Sequence, residues 1–254
     1  MVLPARLTDR RTALDGAVPT AGMDDATVVI TGGTRGIGRA CVEAFAERGA
    51  HVATCARDAD ALAALAADIA DDSDAADGSL TTQRADVRDE YDLERFLETA
   101  RREGGPLDVV VASAGVYHGD PGETAIDGES YSAFDDHLRT NARGVFATFR
   151  EAVPHLADGA RLLALSGGIA RESRAGFGSY AVSKAATEAV VRQFAADTDY
   201  PAAVVDPGIV ATDLTGGRGT DPDSAADLVV RAATALDPIA LDGRVVDRAA
   251  VREE

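Results

Sequence analysis

Two residues of the chain, Tyr180 and Lys184, have types and a spacing that suit proton transfer. Lys184 is the only lysine among the 25 Lys and Arg residues. It lies four residues after Tyr180 at the start of a helical pattern, so the two side chains share one helix face, about one turn apart. A phenol has a pKa of about 10, and a fixed cation beside it stabilises the phenolate and lowers that pKa. The pair therefore predicts a general acid or base; the alternative is a surface lysine on a helix.

A glycine-rich turn, VVITGGTRGIGRA (residues 28–40), follows the first predicted strand. Glycines let a backbone turn tightly and approach a pyrophosphate, and the free N–H groups of the next helix favour an anion. Three residues separate Gly32 from Gly36, which departs from the G-x-G-x-x-G dinucleotide spacing. Alone, the turn is also compatible with a sharp strand-to-helix connection.

The elements that must position these residues alternate along the chain from Asp24 onward. Short apolar runs followed by helical patterns predict an α/β fold: a doubly wound parallel sheet of about seven strands, Rossmann-type, with helices on both faces. The predicted strands are 26–30, 51–55, 80–85, 107–113, 161–166, 202–206 and 243–247. The predicted helices are 36–48, 58–70, 90–103, 132–153, 180–198 and 222–236. Both motifs fall at, or just beyond, the carboxyl ends of strands, where such sheets bind ligands.

Five residues of the turn match the pattern T-G-x-x-x-G-I-G: Thr31, Gly32, Gly36, Ile37 and Gly38. Together with Tyr180 and Lys184 as Y-x-x-x-K, they make the chain resemble the short-chain dehydrogenase/reductase family over roughly residues 25–248. The resemblance implies an oxidoreductase that transfers a hydride between a nicotinamide and a carbonyl/alcohol carbon. Tyr180 would handle the proton, and Lys184 would bond the nicotinamide ribose. A small-molecule carbonyl or alcohol is the implied substrate.

Two more residues complete the implied catalytic set. Ser166 precedes Tyr180 by 14 residues, whereas the commoner family spacing of 13 falls on Gly167, so a one-residue insertion is needed to restore Ser166. Its hydroxyl would orient the substrate oxygen; Ser173 and Ser179 are the other candidates. Asn141 matches the family asparagine that supports an ordered water linked to Lys184. The alternative for Asn141 is a solvent-facing side chain.

The end of the second strand bears on the choice between NAD and NADP. A carboxylate there would bond the ribose hydroxyls and repel a 2′-phosphate, while arginine would pair with that phosphate. The family position of the NAD-type Asp is Ala56, Arg57 follows it, and Arg35 lies in the glycine turn. Two guanidiniums favour NADP. Asp58, which lies 20 residues beyond Gly38, keeps NAD as the alternative.

The resemblance implies further cofactor contacts at the ends of the later strands. Asp86 would contact the adenine ring, or else serve only as a helix N-cap. The segment ASAG (112–115) lacks the asparagines that the family has there. The implied contacts beyond those above are Thr34, Val87, Ala114, Gly115, Pro207, Gly208, Val210 and Thr212.

The charge of the chain narrows its partners. A net charge of −18 argues against nucleic acid or an anionic membrane, because both need a basic surface. A dispersed acidic surface is typical of proteins from extreme halophiles; an ordinary acidic protein is the alternative. Two cysteines and four scattered histidines indicate no disulfide framework and no metal site. No apolar run reaches the ~18 residues of a membrane span, so we expect a cytoplasmic protein.

We expect residues 1–22 to be a disordered or mis-assigned segment and residues 23–254 to form one cofactor-binding and catalytic domain. The family resemblance implies a homo-oligomer, most simply a tetramer paired through helices 132–153 and 180–198. No G-x-S-x-G segment supports a hydrolase. A redox-sensing regulator on the same fold, which binds NAD(P) without turnover, is the alternative function, but such a protein would be expected to lose Tyr180 or Lys184.

Overall fold

Seven parallel strands form one sheet in the order β3-β2-β1-β4-β5-β6-β7. The computed structural model describes residues 23–71 and 78–250. The strands are β1 Thr27–Thr31, β2 His51–Ala56, β3 Ser79–Arg84, β4 Leu107–Ala112, β5 Leu156–Leu165, β6 Ala202–Val205 and β7 Val245–Val246. The α-helices are α1 Gly36–Ala46, α2 Ala59–Asp71, α3 Glu90–Gly104, α4 Tyr131–His137, α5 Gly144–Ala152, α6 Gly178–Asp197, α7 Pro222–Thr234 and α8 Pro238–Leu241.

Both faces of the sheet are covered, which explains why its central strands are apolar, whereas the edge strand β3, SLTTQR, is polar and only partly buried. Side chains alternate along a strand, so Val28 and Ile30 join the core beneath α1, α2 and α7, while Val29 joins the core beneath α3, α5 and α6. All five residues of β1 are buried. Such continuous apolar strands are expected of parallel sheets with helices on both faces.

The strand order reverses beside β1, and this reversal positions the site. From β1 the chain winds outward to β2 and β3, then crosses back to β4 and continues to β7. The loops that leave β1 and β4 therefore diverge and open a crevice at the carboxyl ends of the strands.

The predicted fold class is confirmed. Most predicted boundaries lie within one or two residues of the observed ones, α8 was not predicted, and two elements differ more. The predicted helix 132–153 is interrupted: α4 and α5 are joined by a π-helical segment, Leu138–Arg143. Strand β5 begins at Leu156 instead of 161, because Leu156 pairs with Leu107 before a register irregularity leads to the pair Val109 and Arg161. The polar residues of this irregular stretch resemble a turn in the sequence.

Some predictions fall on parts of the chain that are not described. The predicted segment 1–22 lies outside the described residues, as do 72–77 of the Asp-rich loop and 251–254. Within residues 23–71 and 78–250, none of the helices has the length and apolar character to cross a membrane.

Candidate active site

One cleft of about 1500 Å³ runs along the carboxyl ends of the strands. Every residue predicted to contact the cofactor lines it, from the glycine turn and Arg57 through Asp86 and Ala114 to Thr212. Ser166, Tyr180 and Lys184 line the same cleft. Asn141 does not: its side chain is buried behind the wall.

The glycine turn forms a phosphate cradle that side chains would fill. Gly32 has φ +76° and faces the backbone of Ala114, and a Cβ at Gly38 would clash with the carbonyl oxygen of Gly32. Helix α1 starts at Gly36 with free N–H groups at its positive end. The cradle and the length of the cleft fit a dinucleotide, with its pyrophosphate at the start of α1.

Three arginine side chains lie at the end of the cleft where the adenosine is expected, and they differ in how closely they pair with carboxylates. Arg39 is held by Glu43 and Asp68, each at 2.8 Å. Arg35 has a loose, exposed ion pair of 3.7 Å with Asp213. The exposed side chain of Arg57 has no ion-pair partner among residues 23–71 and 78–250. Arg57 and Arg35 are therefore the guanidiniums most available to a phosphate.

The carboxylate that could have favoured NAD serves another purpose. Asp58 Oδ1 accepts hydrogen bonds from the N–H groups of Asp60 and Ala61, at 3.0 and 3.1 Å, and so caps α2. A capping carboxylate has fewer free acceptor positions for ribose hydroxyls. This observation weakens the NAD alternative.

Asp86 lies in the cleft wall and is held by Arg88. The guanidinium of Arg88 contacts both carboxylate oxygens and also bonds Asp136. Burial acts to raise the pKa of Asp86, but the Arg88 hydrogen bonds keep it below its ordinary value. The N-cap of α3 is Asp89, so the alternative interpretation of Asp86 as a helix cap was wrong.

Tyr180 and Lys184 lie one turn apart on α6, with Lys184 Nζ 5.7 Å from the centre of the Tyr180 ring. Lys184 Nζ donates a 3.0 Å hydrogen bond to the carbonyl oxygen of Leu165. Burial lowers the pKa of Lys184 to about 8, and Glu188 opposes this shift.

The pKa of Tyr180 moves against expectation. Burial, followed by the charges of Tyr117 and Asp206, raises it to about 12, whereas the sequence predicted that Lys184 would lower it. Transferring a phenolate from water into a site lined by protein is unfavourable, and the nearby carboxylate of Asp206 disfavours the negative charge further. In this structure Tyr180 is thus a neutral phenol at neutral pH.

Ser166 faces a buried carboxylate. Its Oγ donates a 3.0 Å hydrogen bond to Glu188 Oε1, and Glu188 also pairs with Arg171. Arg171 pairs in turn with Asp206 at the end of β6. Gly167, at the commoner family position, has only Asp206 Oδ1 near its missing side chain, at 4.0 Å. Ser173 and Ser179 do not line the cleft.

Asn141 lies in the π-helical segment and is 1% exposed, so the solvent-facing alternative was wrong. Its amide bonds both backbone groups of Val116, accepting from N at 2.8 Å and donating to O at 2.9 Å. It also donates to Ser183 Oγ at 2.9 Å. A Cβ at Gly115 would lie 3.4 Å from Asn141 Oδ1 and 3.9 Å from Lys184 Nζ, which places Gly115 between the two.

Several polar groups around the site were not predicted from the sequence. Glu188 and Arg171 surround Ser166, and Glu129 and His137 lie behind Tyr180. Glu188 had a detectable signal, since it lies one turn after Lys184 on the same helix. Glu129 had none, because it lies in a loop 50 residues before the serine it bonds.

Comparison with known proteins agrees with this geometry. A family model described as short chain dehydrogenase matches residues 26–223. The chain belongs to the short-chain dehydrogenase/reductase family. It is an oxidoreductase that acts on the carbonyl/alcohol pair with a nicotinamide cofactor.

Three similar proteins illustrate the range of this family. An NADPH-dependent aldehyde reductase 2, chloroplastic, from Arabidopsis thaliana is 32% identical over 73% of this chain and 72% of its own length. The glycine betaine reductase ATRR of Emericella nidulans is 31% identical over 82% of this chain, which spans only 16% of that protein. An alcohol dehydrogenase of Thermococcus sibiricus, complexed with 5-hydroxy-NADP, has a TM-score of 0.77 and 26% identity, covering 87% of this chain and 95% of that one.

Proposed function

We propose that this chain is an NADP(H)-dependent reductase of a small carbonyl compound, with Tyr180 as the proton donor. The observation that carries the proposal is the convergence of Tyr180, Lys184 and the glycine cradle on one cleft. Bound NADPH supplies the hydride that adds to the carbonyl carbon.

The raised pKa of Tyr180 suits the reductive direction. At neutral pH the phenol is fully protonated and has a proton to give. A carbonyl oxygen gains negative charge as hydride adds and becomes a far stronger base than a phenolate, so it can take this proton. The C=O double bond becomes C–H and O–H, and the phenolate that remains on Tyr180 regains its proton from solvent.

The other members of the set support this step. Lys184 in its charged form stabilises the phenolate and offers donors to ribose hydroxyls. Asn141 holds the backbone of Val116 beside Lys184 and so keeps this part of the wall in place. Ser166 lines the cleft, and its hydroxyl donates to Glu188 in this structure. To orient a substrate carbonyl oxygen, which only accepts hydrogen bonds, that hydroxyl would turn its proton from Glu188 to the cleft.

NADP(H) is the cofactor in this proposal. Arg57 and Arg35 supply available positive charge where the adenosine 2′-phosphate would lie, and Asp58 is occupied as a cap. The names of the Arabidopsis relatives, which are NADPH-dependent, support the same choice. The cleft walls also include the apolar residues Ile169, Phe177 and Ile209 and the charged residues Glu172 and Arg174.

The proton-donor role is tested by Tyr180→Phe, with Tyr117→Phe as the matched control. Tyr117 packs edge-on against Tyr180 with ring centres 4.7 Å apart, but it does not line the cleft. We expect Tyr180→Phe to lower kcat at least about 100-fold with an unchanged Kd for NADPH, and Tyr117→Phe to keep most of the rate. A Tyr180→Phe variant that retains more than about a tenth of the rate refutes the role.

The cofactor choice is tested by Arg57→Ala, with Arg39→Ala as control. Both guanidiniums belong to residues that line the cleft, but that of Arg39 is already bonded to two carboxylates. Loss of a charge-assisted phosphate contact at Arg57 should cost about 1.5–3 kcal/mol, or roughly 10- to 100-fold in the Kd of NADPH, with little change for NADH. Equal losses for both cofactors, or a larger effect from Arg39→Ala, would rule out Arg57 as the phosphate contact.

A further inference from the structure

A buried group of polar side chains lies directly behind Tyr180 and takes no part in the proton transfer described above. It consists of Glu129, His137 and Ser179, and we call it the Glu129 clamp. Ser179 and His137 are fully buried, and the Glu129 side chain is 5% exposed. The three residues come from the loop before α4, the end of α4 and the first turn of α6.

The hydrogen bonds of the clamp run in one direction. The backbone N–H of His118 donates to His137 Nε2 at 2.8 Å, so Nε2 must be the acceptor nitrogen and Nδ1 must carry the proton. Nδ1 donates to Ser179 Oγ at 2.7 Å, and Ser179 Oγ donates to Glu129 Oε1 at 2.7 Å. Burial, followed by the charge of His118, lowers the pKa of His137, which favours the neutral ring that this pattern requires.

Glu129 also caps the helix that carries the catalytic tyrosine. The N-cap residue of α6, Phe177, makes no side-chain cap hydrogen bond. Instead, the N–H of Ser179 donates to Glu129 Oε2 at 2.6 Å, which places a carboxylate at the positive end of the helix. Gly178 leaves room for it, since a Cβ there would lie 2.6 Å from Glu129 Oε2.

The clamp determines the surroundings of the Tyr180 ring. Ser179 precedes Tyr180 in the chain, and the His137 ring lies 5.9 Å from the Tyr180 ring, centre to centre. His137 stacks on Tyr117 at 5.7 Å, and Tyr117 packs edge-on against Tyr180 at 4.7 Å. Ser179 therefore supports Tyr180 through the chain, and His137 supports it through ring contacts, made directly and through Tyr117.

We propose that Glu129 is a positioning residue for Tyr180, acting through Ser179 and His137. Its two carboxylate oxygens accept the two donors of Ser179, which fixes the first turn of α6 and the direction of the hydrogen-bond chain. The inference rests on the proposed role of Tyr180.

The variant that tests this is Glu129→Gln, which keeps the size of the side chain and changes one acceptor into a donor. If the amide nitrogen faces Ser179 Oγ, the serine proton must turn towards His137 Nδ1. His137 would then carry its proton on Nε2, opposite the N–H of His118, where two donors conflict. We therefore expect Glu129→Gln to displace Tyr180 and lower kcat by about 10- to 100-fold, with unchanged KM and Kd for NADPH.

The matched control is Ser130→Ala at the next residue. It removes the N-cap bond of α4, in which Ser130 Oγ accepts from the N–H of Ala133 at 3.2 Å, and so perturbs the same segment without touching the clamp. We expect Ser130→Ala to lower the thermal midpoint but to keep kcat within about twofold of the wild type, because capping losses act on stability. If kcat falls equally in Glu129→Gln and Ser130→Ala, Glu129 has only a structural role and the inference is wrong.

A second readout does not depend on turnover. In chains labelled with ¹³C-tyrosine, the Tyr180 ring signal is identified by its absence in Tyr180→Phe. We expect this signal to shift in Glu129→Gln and to stay in place in Ser130→Ala. An unchanged kcat and an unmoved Tyr180 signal in Glu129→Gln would overturn the inference. The two failures are distinguishable. If the Tyr180 signal moves in Glu129→Gln but Tyr180→Phe remains active, the proposed function is refuted and the positioning contact stands.

Discussion

Lysine at position 184 combines two properties that arginine cannot supply together. Its ammonium is compact enough to bond Leu165 O beside the Tyr180 ring, and burial brings its pKa down to about 8, so its charge changes within the working range of an enzyme. A guanidinium is planar and remains charged at every accessible pH. This contrast explains why a chain that otherwise uses arginine retains one lysine here.

Lys184→Arg should therefore alter the pH profile as well as the rate. In the wild type, the ammonium is lost as pH rises through about 8, so kcat/KM for NADPH should fall above that pH. In the variant the charge persists, so this ionisation should disappear, and the plateau rate should be lower because the guanidinium cannot occupy the same position. Steady-state rates over the pH range check both points. A variant with the wild-type profile and rate would mean that the lysine is not special.

Two substitutions can decide whether the hydroxyl that orients the substrate belongs at position 166 or at position 167. Ser166→Ala removes the hydroxyl that bonds Glu188, and Gly167→Ser adds one at the commoner family position, where the space is open. If Ser166 orients the substrate, Ser166→Ala should lower kcat/KM about 10- to 100-fold, and Gly167→Ser should give no gain. A faster Gly167→Ser variant would transfer the role to position 167.

Among individual residues, the sequence identified those that belong to spaced motifs. The types and places of Tyr180, Lys184 and the glycines followed from their spacing. The raised pKa of Tyr180 did not, because burial by residues distant in sequence sets it. The bond between Ser166 and Glu188 depends on how β5 and α6 pack, which the residue spacing alone does not define.

Among the elements, the π-helical segment between α4 and α5 is the least predictable and one of the most consequential. Residues Leu138–Arg143 lie inside the segment 132–153 whose pattern predicts one ordinary helix, and only the packing against α6 reveals the wider turn. Thr187 on α6 donates to the carbonyl oxygen of Asn141 at 2.8 Å, which a regular helix would use internally. Such π-bulges often occur at functional sites.

Asn141→Ala tests the structural contribution of this element. The substitution removes three hydrogen bonds, the one to Ser183 buried and the two to Val116 partly buried, and leaves the backbone N–H and C=O of Val116 without that partner. We expect the free energy of unfolding to fall by about 2–4 kcal/mol, since each buried polar group left unsatisfied costs about 1–3 kcal/mol. Denaturant unfolding measures it. A loss below about 0.5 kcal/mol would show that the segment does not depend on Asn141.

The remaining elements were readable because each has a strong local signal. The central strands β1 and β4 are short apolar runs, and α3 begins with an N-cap aspartate and acidic residues in its first turn. Boundaries were less certain where polar residues continue a strand, as at the start of β5.

At the scale of the whole molecule, α5 and α6 leave apolar side chains uncovered. Phe146 is 44% and Val182 is 40% exposed, and Ala189 on α6 is exposed as well. Small apolar side chains let helices of neighbouring copies approach closely, so we propose the expected tetramer with these helices at an interface.

Val182→Glu should disrupt that assembly. A charge placed in an apolar contact is unfavourable, so light scattering should report a smaller species, while circular dichroism should show an unchanged helix content. A wild type that is monomeric in molar salt would contradict the proposed tetramer, and so would a variant that keeps the mass of the wild type.

The most direct test of the proposed function is whether the cleft reduces carbonyl compounds with NADPH. The measurement is turnover of a panel of aldehydes and ketones by the full chain with NADPH and with NADH, at high salt to screen the repulsion within a chain of net charge −18. The proposed function predicts that at least one carbonyl compound is reduced, with kcat/KM for NADPH at least about 10-fold above that for NADH, in line with the charge-assisted contact expected at Arg57. Binding of NADPH without reduction of any compound in the panel, or a clear preference for NADH, would contradict it.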